Sequence, residues 1–306
     1  MRRLGLVALL AACNGSSMSQ SGDDTQPMID APKAPMIDAA PVCTPLGTCD
    51  WLDSYQRHIV GVLAGVEDIS PGVKIAHRES VGERNATRQF LDEAFAALNI
   101  PSQHQNYTSG SNVGANVIGT LDGPGSLIII GAHFDGVAAG PAAADNATGV
   151  AIVLSLARYL RDVPRTHKIA FALFDQEELG LIGSREYVKT LTAGDIASVH
   201  IYDMVSFDGD GDHAVELWSP APAVEAMYQA KGAVAGMPIQ PVTFELSDHQ
   251  AFVEAALPAT GVSEEFVGGD HTPNYHKSTD TYANVQFDHL ARVTHLAFAV
   301  LDEAVR

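Results

Sequence analysis

Two apolar periods alternate along this chain. Residues 126–132 form an apolar run rich in isoleucine, with the length of a strand buried on both faces, and the run stops at His133, Phe134 and Asp135. Residues 168–174 repeat the form and stop at Asp175, Gln176, Glu177 and Glu178; residues 199–202 are a third strand and stop at Asp203. Between the first two, Val150, Ile152, Val153, Leu154, Leu156, Ala157 and Leu160 make a largely buried helix ending before Pro164. Strands separated by helices predict βαβ units, hence a mainly parallel sheet with one edge where charged residues collect. In open α/β sheets the crevice beyond the strands' carboxyl ends is where ligands bind.

Weaker signals complete the pattern. Residues 50 to about 67 carry Leu52, Ile59, Val60 and Leu63 on one helical stripe, and residues 87–98 carry Phe90, Leu91, Ala94, Phe95 and Leu98 on another, closed by Pro101. Residues 116–121 read as a strand that turns at Asp122, Gly123 and Pro124 into the strand before His133, which predicts that these two are sheet neighbours. Residues 221–234 predict a helix, residues 240–246 and 258–266 strands. A last helix carries Phe287, Leu290, Val293, Leu296, Ala297, Val300 and Leu301. No composition break follows Cys49, so residues 49–306 are expected to be one domain.

The amino terminus breaks this pattern. Residues 1–12 hold two arginines, a short apolar run and small residues, the order of an export signal, and the run is too short to remain as a membrane span. Leu10, Ala11, Ala12 and Cys13 resemble a bacterial lipobox, which implies cleavage before Cys13 and a lipid on its thiol. Residues 13–48 are expected to be a disordered tether. They are rich in Ser, Gln, Asp, Pro and Ala, repeat PMIDA at Pro27 and Pro35, and hold too little apolar surface to offset the entropy of ordering. Cys43 and Cys49, six apart in an exported chain, are expected to close a small disulfide loop rather than bind metal, since no histidine accompanies them. The expected location is outside the cytoplasm, held by the lipid to a bacterial membrane, with Asn14 favouring the outer one, and membrane contact is expected through that lipid alone.

Composition narrows the function. The chain has 306 residues, 46% hydrophobic, enough for one large core, and a formal charge of −19. That charge would repel a polyanion, so nucleic acid is not an expected partner. There is no HExxH helix, no nucleophile elbow and no phosphate loop. FDGDGDH, with Asp208, Asp210 and Asp212, imitates the start of a calcium loop. It has His213 where glycine is needed and Ser219 where a glutamate should be, so it reads as an acidic turn.

What remains is a set of two imidazoles and four carboxylates: His133, Asp145, Glu177, Glu178, Asp203 and His276. Four carboxylates in one crevice repel unless cations neutralise them. Imidazole and carboxylate without thiolate suit zinc in a hydrolytic site, and one carboxylate shared by two ions roughly 3.5–4 Å apart gives a site that activates water. Each residue also has a plainer reading. Asp145 could cap a helix beginning near Ala147, Glu177 and Glu178 could be first-turn helix acids, Asp203 a turn residue and His276 a surface histidine.

The fragments NVIGTL at Asn116, GAHFD at Gly131, ADNATG at Ala144, QEELGLIGS at Gln176, YDMV at Tyr202, SDHQAF at Ser247 and YHKSTDT at Tyr275 resemble, in order and spacing, the zinc exopeptidases of metallopeptidase family 28. The resemblance covers residues 78 to about 304. It implies a three-layer α/β/α sandwich with a mixed, mainly parallel sheet, two Zn2+ ions and peptide substrates with a free N-terminus. By the same resemblance His133 and Asp203 would hold one ion, Glu178 and His276 the other, with Asp145 bridging and Glu177 as general base. Asp135 would accept the proton on the far nitrogen of His133. The SDH fragment implies that Asp248 and His249 line the site wall or support the ion-holding residues, although helix capping by Ser247 or Asp248 explains them nearly as well. Glu264 and His271 are further candidate substrate contacts. The activity implied is that of an aminopeptidase. The nearest rival is glutaminyl cyclisation on the same fold, against which stand the uninterrupted EELGLIGS and Tyr275 where a tryptophan would favour the cyclase. A carboxypeptidase lacks a suitable arginine cluster, and a non-catalytic binding lipoprotein would not need the full set with Glu177.

Overall fold

The computed structural model describes residues 43–306; Cys13 and the expected signal and most of the tether lie outside the described residues. Cys43 and Cys49 form a disulfide, and the short loop between them packs on the body: the Pro45 carbonyl accepts from His295 Nδ1 at 2.8 Å. Helix α1 (Leu52–Leu63) follows, then α2 (Val81–Ala97), opened by a capping box in which Ser80 and Glu83 satisfy each other's backbone N–H groups. Strands β1 (Ser102–Ser109) and β2 (Asn112–Leu121) form a hairpin. Strand β3 (Leu127–His133), helix α3 (Thr148–Leu160) and strand β4 (Lys168–Phe174) make the first crossover. Helix α4 (Ile182–Val188) leads to β5 (Ile196–Tyr202). The chain then runs through β6 (Val215–Trp218), α5 (Pro222–Ala235), β7 (Ile239–Val242), α6 (His249–Glu254), β8 (Ala259–Ser263) and α7 (Phe287–Ala304).

The eight strands form one sheet in the order β1-β2-β4-β3-β5-β8-β6-β7. Pairings β3 with β4, β3 with β5, β5 with β8 and β6 with β7 are parallel, and the other three antiparallel, so the sheet is mixed and mainly parallel. Apolar faces of α1, α2, α3, α5 and α7 pack on one side, including Leu63, Phe95, Leu154, Val224 and Leu296. Tyr187 of α4 and Phe252 of α6 close the other. These are the three layers, and no described helix is long and apolar enough to cross a membrane.

One expected pairing is overturned. Strands β2 and β3 are not neighbours, because β4 lies between them, antiparallel to β2 and parallel to β3. The link at residues 122–126 has the length of a hairpin turn, but its Gly125 N–H donates to Thr166 O just before β4 rather than closing on β2. A strand buried on both faces is better completed by parallel neighbours, and β3 takes β4 and β5. The other edge of β2 goes to β1, whose polar sequence SQHQNYTS carries no apolar alternation to reveal it.

Candidate active site

Strands β3, β4 and β5 run parallel, so the charged residues that follow them emerge at one edge. His133 is the last residue of β3, and the loop after it brings Asp145 back across the mouth of the sheet. Three buried polar side chains hold that loop. Arg78, fully buried, donates to Phe134 O (2.6 Å), Leu63 O (2.7 Å), Pro141 O (2.9 Å) and Ala142 O (2.9 Å). The Asp280 carboxylate accepts from the N–H groups of Ala144 (2.7 Å) and Asp145 (3.1 Å). Asn146 donates to Tyr202 O at the end of β5 (2.9 Å) and accepts from Gly149 N–H (2.9 Å). A side chain at position 149 would sit 2.4 Å from Tyr202 O, so this close approach of α3 to β5 needs glycine. Asp145 does not cap α3: the helix starts at Thr148 with Ala147 before it and no side-chain cap.

After β4 the backbone turns at once. Gln176 has φ 61° and Leu181 φ 57°, and α4 begins only at Ile182, so neither Glu177 nor Glu178 is a first-turn helix acid. Asp135 fixes the turn, Oδ1 accepting from Glu177 N–H (3.0 Å) and Oδ2 from Glu178 N–H (3.2 Å). Its Oδ1 also lies 3.5 Å from His133 Nδ1, within ion-pair range but without hydrogen-bond geometry. Asp175 points away from this cluster into a buried ion pair with Arg84 (2.8 Å) and Arg88 (2.7 Å).

The candidate residues converge as two triads sharing Asp145. His133 Nε2 lies 3.3 Å from Asp145 Oδ1 and 3.4 Å from Asp203 Oδ1. His276 Nε2 lies 3.2 Å from Asp145 Oδ2 and 3.0 Å from Glu178 Oε2. Each Asp145 oxygen faces a different imidazole. Ligand atoms on a tetrahedral zinc, bonded at 2.0–2.1 Å, stand about 3.4 Å apart, and both triads match that spacing. Both ring nitrogens of His133, Glu178 Oε1 and Asp203 Oδ1 are buried with no hydrogen-bond partner. Buried polar atoms are rarely left so, and this donor set fits a pair of cations. Glu177 offers an oxygen within 4.8 Å of the nearest His133 and Glu178 ligand atoms.

The electrostatics follow from burial and crowding. Burial pushes the Glu177 carboxyl well above its ordinary range, and the charges of Asp248, Asp203 and Glu178 add to this against the pull of His133. Burial likewise raises Glu178. Asp145 is held well below the carboxylate range: burial opposes this, but the facing His133 and His276 imidazoles outweigh it. Asp145 and Glu178 push the His276 imidazole up to about 10. The His276 side chain is 38% exposed and stacks on Tyr275, so the site opens to solvent on this side.

Residues 116–301, more than half of the sequence, match peptidase family M28. The chain belongs to that family. Among curated M28-like relatives, leucine aminopeptidase 2 of Trichophyton rubrum is 30% identical over 235 residues, 67% of this chain and 46% of that protein. A protein of Mycobacterium tuberculosis named "Probable lipoprotein aminopeptidase LpqL" is 31% identical over 201 residues, 55% and 39% of the two chains. This chain thus spans about half the length, or less, of the curated relatives it matches. Of solved structures, BSAP, a zinc aminopeptidase from Bacillus subtilis, has a TM-score of 0.60 at 25% identity over 64% of this chain and 52% of that one. A glutaminyl cyclase of Porphyromonas gingivalis has a TM-score of 0.65 at 16% identity over 83% and 99%, a likeness of fold alone.

Within this M28 chain the remaining candidates sort by their partners. Ser247 does not cap α6; its hydroxyl donates to Asp203 Oδ2 at 2.6 Å and so orients a member of the first triad. Asp248 precedes α6 without a side-chain cap and is fully buried beside the site, and burial pushes its carboxyl up to about 7 over the opposing pull of His133. Glu264 is spent on backbone, accepting from Phe207 N–H (3.0 Å) and Thr272 N–H (2.7 Å), so it braces the wall rather than offering itself to a substrate. His271 packs against the Phe266 ring at 4.7 Å. Sequence reasoning assigned no role to Arg78, Asn146 or Asp280, and read Ser247 only as a helix cap. The NAT and STDT segments lie inside matched fragments, but nothing in their spacing says which backbone groups they hold.

Proposed function

We propose that this M28 chain is a zinc-dependent aminopeptidase that removes N-terminal residues from peptides, with His133 and Asp203 holding one ion, Glu178 and His276 the other, and Asp145 both. The observation that carries this reading is the division of Asp145 between two imidazoles, with Glu177 alongside. When bound, such a pair lowers the pKa of water to near neutrality and polarises the scissile carbonyl. Glu177 is the base: raised by burial, it takes the proton of the attacking water and returns it to the leaving amine. Asp135 holds Glu177 and Glu178 in their divergent directions, and Ser247 fixes the oxygen that Asp203 turns away from its ion. The chain's formal charge of −19 favours the approach of a peptide's cationic N-terminus.

The cyclase reading has a likeness of fold in its support and nothing finer. Incubating the zinc-loaded protein with an aminoacyl chromogenic amide and with a peptide bearing N-terminal glutamine separates the two, the expected result being release of the chromophore and no cyclised product. Glu177→Gln should lower turnover by about 10²–10⁴-fold with zinc content unchanged; full activity in that variant removes Glu177 as the base. For location, the proposal is export and lipid attachment at Cys13, in line with the lipobox-like sequence and the likeness to LpqL. Cys13→Ser is expected to move the protein from the detergent phase to the aqueous phase on partitioning.

A further inference from the structure

The acidic turn after β5 has a part that neither the M28 site nor the turn itself explains. One carboxylate oxygen of each of its three aspartates, and one of Asp270 beside it, is committed to backbone. Asp208 Oδ1 accepts from Gly211 N–H (2.9 Å), Asp210 Oδ1 from Asp212 N–H (3.1 Å), Asp212 Oδ1 from Ala214 N–H (2.7 Å), and Asp270 Oδ2 from Gly209 N–H (2.7 Å) and Asp210 N–H (3.2 Å). Asp208 Oδ2 instead faces inward, 2.5 Å from His213 Nδ1 and 3.7 Å from Nδ1 of His289 in the first turn of α7. His289 is 3% exposed, and neither of its ring nitrogens has a hydrogen-bond partner. A buried imidazole with nothing on either nitrogen is costly, and here one nitrogen points at a carboxylate.

We propose that Asp208, His213 and His289 form a second metal site, separate from the Asp145 centre, which takes a single divalent transition-metal cation, zinc by its donor set. One ligand atom from each residue lies within 4.8 Å of the other two. The 3.7 Å between Asp208 Oδ2 and His289 Nδ1 is close to the roughly 3.4 Å between neighbouring ligands on tetrahedral zinc, while the 2.5 Å hydrogen bond between Asp208 Oδ2 and His213 Nδ1 would open as the ion replaced its proton. Two imidazoles and one carboxylate without thiolate exclude the soft cuprous ion, and the nitrogen donors disfavour calcium and magnesium. A cavity of about 480 Å³, bounded by these residues and by Arg57, Gln286 and Arg292, opens beside the triad and gives an entry path. Of the cations lining it, Arg57 is paired with Asp53 at 2.8 Å and lies over the Phe287 ring, while Arg292 is exposed. The fourth position is left to water.

Such an ion would fasten the stretch after Asp203 to α7. Gln286 N–H already donates to Ser206 O (3.2 Å) there, Val205 shares a core cluster with Phe287 and Leu290, and the ion would add a bond across the same seam five residues beyond Asp203. Its effect is on that seam, since none of its three ligands is a member of the Asp145 centre.

The test counts metal by mass spectrometry on the untagged protein, stripped with chelator, reloaded with zinc and freed of excess. The wild type is expected to hold one zinc more than His213→Gln. Because that side chain is partly exposed, the variant should fold; Asp208→Asn, which keeps the Gly211 bond, is the second variant. Both should also show a smaller zinc-induced rise in melting temperature than the wild type, the remainder belonging to the Asp145 pair. A variant lacking the Asp145 centre, His133→Asn with His276→Asn, should keep a zinc that His213→Gln then removes, so failure here and failure of the catalytic pair are read separately. Unchanged zinc content and melting temperature in both His213→Gln and Asp208→Asn would overturn the proposal.

Discussion

Asp135 is the residue on which the geometry of the proposed catalytic cluster turns. Both of its oxygens accept backbone N–H groups, one from Glu177 and one from Glu178, and two adjacent glutamates can serve different ends only while that turn is held. In Asp135→Asn one oxygen becomes an NH2 that faces an N–H donor, so one of the two bonds is replaced by a repulsive contact. Zinc affinity at the shared site and turnover are each expected to fall by about 10–100-fold with the fold intact by circular dichroism; a variant equal to wild type in calorimetric zinc titration would leave Asp135 a bystander. At this scale the sequence was informative where a chemical type recurs at strand ends. His133, Glu177, Glu178 and Asp203 stand directly after or beside apolar runs, and the structure does bring them together with Asp145 and His276. The bracing bonds were not legible. Arg78 reaches Ala142 across 64 positions and Asp280 reaches Ala144 across 136, and no local period encodes a contact of that span.

Elements were readable in proportion to how much apolar surface they bury. Strands β3, β4 and β5 and helices α3 and α7 are each dominated by buried apolar positions, and each is legible close to its true bounds except β5, which begins at Ile196, three residues before its expected start. The polar strand β1 and the four-residue β6 were missed, the first because it is an edge strand and the second because it is too short to show a period. The order of strands was misread at β2 because a short turn promises adjacency, while the crossover through α3 places β4 in the gap. Helix α2 begins six residues before its expected start at residue 87, and the signal for this was present in Ser80, Val81, Gly82 and Glu83, a capping box that went unread. Its contribution is measurable. Ser80→Ala removes the acceptor for Glu83 N–H and the hydroxyl that Glu83 Oε2 holds at 2.7 Å, and should lower unfolding stability by about 1 kcal/mol with the urea m-value unchanged. A loss below a few tenths would show that α2 is fixed by its packing on β1 and β2 alone.

The described residues close both faces of the sheet with apolar helices, and among the polar side chains that they bury some lie in the core away from the clustered charges. His200 on β5 is one. It is fully buried, its Nε2 2.9 Å from Ser198 Oγ and its Nδ1 3.2 Å from the Tyr228 hydroxyl on α5, and burial depresses its pKa from 6.5 to about 3. Between those two values the unfolded chain binds the proton and the folded one does not. Stability from this residue is therefore complete above pH 6.5 and drains away as pH falls toward about 3, at up to about 1.4 kcal/mol per pH unit. His200→Asn removes the titrating group. Urea unfolding of chelator-stripped protein, so that loss of bound cations does not enter the slope, should show the variant less stable than wild type at pH 8 yet losing stability more slowly from pH 6 to pH 4, by about that slope. Parallel curves for the two proteins over that range would mean that His200 takes up its proton while still folded.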